Sequence, residues 1–152
     1  MREAIGGTWL FGLVITFIVF FASFLAVSIN YSKAFSVKND IVDLISKYEG
    51  NNCNSRKKIS QHLKNIGYLV TGTCDSDYTG YNLNGDKVNT GKAYYCIKSD
   101  STGESTTFDK SFYSVEIFFK IDLPMVGDLI NFKIKGETEY IFFAKDEIRS
   151  YC

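Results

Sequence analysis

Between Glu3 and Lys33 the chain carries no charged residue, and this stretch limits the fold more than any other feature. From Thr8 to Ile29 it supplies 22 predominantly apolar residues. Roughly 20 such residues, wound as a helix, cross the hydrocarbon core of a bilayer. A helix also satisfies its own backbone hydrogen bonds, as lipid surroundings demand. Trp9 and Tyr31 flank the run, at the positions that interfacial aromatics favour. The rest of the chain is too small to wrap such a rod as a buried core helix. The run also exceeds the about 7–15 apolar residues of a cleaved secretory signal. Residues 8–30 are therefore predicted to be a retained transmembrane helix, behind a short leader-like segment at 1–7.

The helix is predicted to continue beyond the membrane. Tyr31, Ala34, Phe35, Lys38, Ile41, Val42, Ile45 and Tyr48 recur at steps of three and four, with polar residues between them. Gly50, followed by Asn51 and Asn52, is a stop signal. Residues 31–50 thus read as an amphipathic stalk, and a helix from Ile5 to Tyr48 would be about 66 Å long. Residues 51–152 read as an extracytoplasmic α+β domain. A short helix capped by Asn54 or Ser55 buries Ile59, Leu63 and Ile66. The period then changes to two, giving strands at Tyr68–Cys74, Ala93–Lys98, Phe112–Asp122, Leu129–Lys135 and Thr138–Ala144. Gly136-Glu137 is expected to turn the last pair into a hairpin. On the central strand Tyr113, Val115, Ile117, Phe119 and Ile121 point inward. Ser114, Glu116, Lys120 and Asp122 point toward solvent. The expected fold class is α+β: a long N-terminal transmembrane and stalk helix packed on the one apolar face of a small antiparallel β-sheet.

Lys+Arg and Asp+Glu both number 17 in the 152 residues. A balanced chain without a basic cluster has no footprint for nucleic acid. No nucleophile elbow, zinc-protease or P-loop pattern occurs, so the chain is not expected to be an enzyme. His62 reads as a surface residue. The four cysteines, Cys53, Cys74, Cys96 and Cys152, contain no C-x-x-C pair. Their even number outside the span favours disulfides and an oxidising exterior. Three connectivities exist. Cys74–Cys96 would staple the base of the polar loop Asp75–Lys92, and Cys53–Cys152 would tie the C-terminus to the stalk. Lys33, Lys38 and Lys47 after the span outnumber Arg2 before it, which leans against an outside C-terminus. The cysteines and the aromatic β domain outweigh this bias. The expected location is the cell membrane, single-pass, with the C-terminal domain extracytoplasmic.

Within the polar loop Asp75, Asp77, Thr79 and Asp86 match part of a calcium loop. Leu83 stands where an oxygen ligand is wanted and no helix pair flanks the string, so a plain turn cluster is expected, with no metal or cofactor. Calcium is the one alternative. In the span Thr8, Gly12, Thr16, Val19, Ser23, Ala26 and Asn30 recur at steps of four and three. A stripe of mostly small residues lets transmembrane helices approach closely.

The layout of apolar helix, amphipathic stalk and small β domain resembles type IV pilin-like proteins. More closely it resembles the TadE-like minor pseudopilins of tight-adherence (Flp-type) pilus and secretion systems. The stretches that carry the likeness are Arg2-Glu3-Ala4-Ile5-Gly6-Gly7, Asp122-Leu123-Pro124-Met125-Val126-Gly127 and Lys135-Gly136-Glu137-Thr138. The family's Glu, five residues after a cleavable Gly, has no counterpart, since Phe11 or Gly12 falls there. The resemblance implies a structural subunit that assembles through its N-terminal helix, with the lipid bilayer and other pilin-like or secretion-system subunits as partners. The alternative is a monomeric, membrane-anchored surface binding module that uses the Asp75–Lys92 loop.

Overall fold

The structure is a computed structural model, and it describes residues 2–89, 91–104, 108–123 and 127–144. Helix α1 (Arg2–Lys47) is continuous over 46 residues, a rod of about 69 Å. It stops where Glu49 and Gly50 take positive φ values of 54° and 124°. The Gly50 N–H then donates to the Ile45 carbonyl at 2.8 Å. Asn52 caps α2 (Cys53–Asn65). Its side chain accepts from the Ser55 N–H, while Ser55 Oγ accepts from the Asn52 N–H. The cap is thus Asn52 rather than Asn54 or Ser55, because only Asn52 has a partner at the third helical position. Ser55 is that partner.

The chain then forms β1 (Thr79–Tyr81), β2 (Lys87–Val88), β3 (Tyr95–Glu104), β4 (Phe108–Leu123), β5 (Gly127–Glu137) and β6 (Ile141–Ala144). These make one antiparallel six-stranded sheet in the order β2-β1-β3-β4-β5, with β6 also paired to β4. The lower half of α1 lies on one face. Ala34, Val37, Ile41 and Ile45 are buried there against Tyr95, Ile97, Tyr113, Val115, Ile117 and Phe119, with Ile59 and Leu63 of α2 closing one side. Burying each such aliphatic side chain contributes about 1.5–3 kcal/mol. This is the α+β architecture: a long apolar N-terminal helix packed on a small antiparallel sheet.

Three expectations about the strands need correction. Gly136-Glu137 is not a turn. Gly136 lies within β5 opposite Val115, and a Cβ there would stand 2.6 Å from Lys38 Cδ. The Lys38 side chain of the stalk crosses β5 at that point, and a larger residue would have to displace it. Nor does the segment from Thr138 to Ala144 fold back. β5 and β6 follow one another along the same edge of β4, and Thr138 makes the step. Its N–H donates to the Tyr113 carbonyl at 2.9 Å, and its Oγ1 accepts from the Tyr113 N–H at 3.0 Å.

The third correction concerns Tyr68–Cys74, which forms only an isolated bridge between Gly72 and Ala93. The segment crosses the second face of the sheet and covers it. Tyr68 donates its hydroxyl to the Phe118 carbonyl, just past the end of the β3 ladder, and burial pushes its phenol pKa up. Phe118, Cys96 and Ala93 form a second small core under Val70, Cys74 and Tyr78. The expectation of one apolar face is therefore incomplete, since the middle of β4 is covered on both sides.

A Cβ at Gly72 would stand 2.2 Å from Phe118 Cδ1, and the ring is 1% exposed with nowhere to move. Gly72→Ala should therefore destabilise the head by about 1–3 kcal/mol, the usual range for overpacking. Adding Phe118→Leu should recover part of that loss, a coupling that a double-mutant cycle on urea midpoints measures. Additive effects would mean that the segment does not rest on Phe118.

Candidate functional site

Two regions carry the residues that sequence reasoning singled out. The first is the N-terminal half of α1. From Gly7 to Ala22 every side chain is exposed, with Trp9 at 75% and Phe20 at 67%. This is one helix long and apolar enough to cross a membrane, and none of that segment is covered by the rest of the chain. At 100° per residue, Thr8, Gly12, Thr16, Ser23 and Ala26 fall on the same side as Ala34, Val37, Ile41 and Ile45. The small-residue stripe is thus the continuation of the face that holds the head. Thr8, Gly12 and Thr16 are exposed, while Ser23 and Ala26 are half-buried. A Cβ at Gly12 would meet nothing within 4 Å. The Thr16 hydroxyl donates to the Gly12 carbonyl and the Ser23 hydroxyl to the Val19 carbonyl, both at 2.9 Å. These i−4 bonds satisfy the hydroxyls within the helix, so what the stripe offers a neighbour is small size.

The second region is the polar loop, expected to run irregularly from Asp75 to Lys92. It contains the β1–β2 hairpin, whose turn is organised by Asn82 Oδ1 accepting the N–H groups of Asn84 and Asp86. Cys74 and Cys96 are joined by a disulfide at its base. Cys53 is disulfide-bonded, and its expected partner Cys152 lies outside the described residues.

The calcium-loop residues do not converge. Asp75 accepts from Lys133 and, at 2.9 Å, from Lys135. Asp77 lies 3.9 Å from Lys98, Thr79 opens β1, and Asp86 caps the hairpin with Asn82. Among the described residues no group of three or more His, Cys, Asp or Glu is arranged to hold a metal ion. His62 is not a plain surface residue either. Its Nε2 sits 3.0 Å from Asp40 Oδ2 and ties α2 to α1.

Sequence reasoning missed a four-charge clasp on the second face. Glu116, expected in solvent, is completely buried. On the sheet it lies between Cys96 of β3 and Lys135 of β5. Lys135 Nζ is 2.9 Å from Glu116 Oε1, a charge contact rather than an aligned hydrogen bond. The Asp75 N–H reaches Glu116 Oε2 at 3.4 Å. Two lysines and two carboxylates thus cancel, and Lys135 also lies 5.3 Å from the Tyr78 ring. Such a cluster has its charges internally occupied. It holds the covering segment to the sheet beside the disulfide, and it leaves no free nucleophile or base. The sequence signal was faint: Lys133 and Lys135 alternate on the same face of a strand that neighbours Glu116.

Lys133, then Lys135, hold the Asp75 carboxyl well below the usual carboxylate range. A depressed carboxylate contributes stability that is fully present above its unfolded pKa, about 3.9 for Asp. That contribution is lost as pH falls through the folded value. The stability gap between the parent and Asp75→Asn should therefore stay constant from neutral pH to about 4 and shrink below it. Thermal melts at stepped pH measure it, and a gap that grows on acidification would contradict the clasp.

No family model, curated protein or solved structure matches the chain. The class defined by the fold is an α+β head on one apolar helix of membrane-spanning length.

Proposed function

We propose that the protein is a single-pass membrane subunit of the pilin-like, TadE-like kind, a structural component of a pilus or secretion apparatus. In this role α1 anchors the chain and assembles with other subunits, and the head stands on the extracytoplasmic side. The observation that carries the proposal is the division of one unbroken helix into two halves. One half is clasped by the sheet through Ala34, Val37, Ile41 and Ile45, and the other is bare. The Cys74–Cys96 disulfide supports an oxidising exterior. The charges of the clasp are paired with one another, which weighs against a binding site built on Asp75.

The stripe provides the test. In lipid there is no hydrophobic drive for helices to meet, so close approach decides association. Gly12→Leu with Thr16→Leu should leave insertion intact, since Leu is favourable in the membrane, yet sharply reduce crosslinking to other pilin-like subunits in intact cells. Val14→Ala with Phe21→Ala, on the far side of the helix, should do much less. Equal behaviour of the two pairs would favour the monomeric anchored module instead. Protease added to spheroplasts should digest the head, and a protected head would reverse the orientation.

A further inference from the structure

We propose that Cys74 is the sulfur through which the head's disulfide is made and exchanged. It carries the mixed disulfide with an external thiol oxidoreductase, and Cys96 resolves that intermediate from within the sheet. The proposal rests on the head standing outside the membrane, where such bonds are formed.

The two sulfurs of the Cys74–Cys96 bond differ in reach. Cys96 has no exposed surface, whereas Cys74 is only half-buried. Exchange requires a thiolate to attack one sulfur of the disulfide and expel the other. While the covering segment is closed, an external thiolate has a path to Cys74 alone.

They differ also in what holds them. Cys96 lies in β3 between two strands, opposite Gly80 of β1 and Glu116 of β4, so the sheet itself fixes its position. Both of its flanks are filled. Glu116 is completely buried. Over Gly80 the space belongs to Cys74 Sγ, since a Cβ there would stand 3.0 Å from it. Ala93 and Phe118 complete the enclosure. Cys74 sits instead on the covering segment, which meets the sheet through the Gly72–Ala93 bridge, the Tyr68 hydroxyl and the Asp75 carboxylate. These contacts bring Cys74 to Cys96 before any bond joins them, so the resolving step is intramolecular and correspondingly fast.

The bond forms in two steps. The Cys74 thiolate attacks one sulfur of the oxidant's disulfide, and the oxidant's other sulfur leaves as a thiolate. The Cys96 thiol then attacks Cys74 Sγ. Its proton passes to the oxidant sulfur that departs, and two electrons have moved from the cysteines to the oxidant. Reduction runs the same path backward: a thiolate attacks Cys74, and Cys96 is the leaving sulfur.

Glutathione tests this on the full chain in detergent. Excess reduced glutathione is added to the disulfide form, exchange is stopped by rapid alkylation with N-ethylmaleimide, and peptide mass mapping locates the adduct. Glutathione should be found on Cys74 and the alkyl group on Cys96. Glutathione on Cys96, or equally on both, would overturn the inference, as would exchange that begins only when the head unfolds. Two variants ask the same question without the bond. With glutathione disulfide, Cys96→Ser should be modified at Cys74 at least about tenfold faster than Cys74→Ser at Cys96, the ratio set by an opening cost of about 1.4 kcal/mol. In urea the two rates should converge. Equal native rates would overturn the inference, and so would a difference that persists in urea, since burial would not be its cause. Alkylation in native membranes checks the orientation separately, and should find neither thiol free. Free thiols at both positions would defeat the extracytoplasmic placement, whereas a bonded pair that takes glutathione on Cys96 defeats this inference alone.

Discussion

Changing Ile41 and Ile45 together to alanine is expected to destabilise the head by roughly 4 kcal/mol or more, because each buried large-to-small change costs about 2–5. Both side chains are fully buried between α1 and the sheet, and their shared neighbours make the two losses couple. Against a total stability of about 5–15 kcal/mol, the pair should leave the head unfolded or nearly so. The apolar N-terminal half of α1 does not depend on that interface, so on the proposed reading the variant should still partition into vesicles. Urea unfolding in detergent, followed by near-ultraviolet circular dichroism, measures the first effect, and vesicle flotation the second. A midpoint close to that of the parent would mean that the stalk is not part of the core.

Removing the Cys74–Cys96 disulfide with a double serine change should cost about 3 kcal/mol, given the 22-residue separation it closes. The loss should be uneven. The covering segment from Tyr68 to Tyr78 hangs from this staple, whereas β1, β3, β4 and β5 are held by their own ladders. Amide exchange should therefore rise first at Gly72 and Tyr78, whose N–H groups donate to Ala93 and Asp75. Uniform loss of protection across the sheet would show that the staple holds the whole head rather than its cover.

What the sequence made legible follows from period and distance. The long apolar helix and its amphipathic lower half were readable because an uncharged run and a three-to-four step are local signals. Ile41 and Ile45 face the sheet as their spacing predicts. Val37 and Leu44 were not singled out; Val37 is nonetheless buried and Leu44 partly so. The central strand was readable from its alternation, yet Phe118 and Glu116 on its other face were not. Their cover comes from a segment whose own alternation, Tyr68 to Cys74, resembles a strand. Gly136 looked like a turn residue because nothing nearby in sequence shows that Lys38 will lie on it. The clasp joins Asp75 to lysines 58 and 60 residues away, and no local pattern encodes such a meeting. The stripe was legible as small residues, but its alignment with the head appears only once the face buried at Ile41 is known.

The central claim is that the bare half of α1 meets another protein along the side that carries Gly12 and Thr16. A diazirine-bearing aliphatic amino acid at Val19, on that side, and at Val14, on the other, tests it in intact cells with little change of bulk. The account predicts that illumination at position 19 gives a discrete adduct with another single-pass subunit, while position 14 gives mainly lipid adducts. Equal yields of lipid adducts from both positions, with no protein adduct from either, would contradict it.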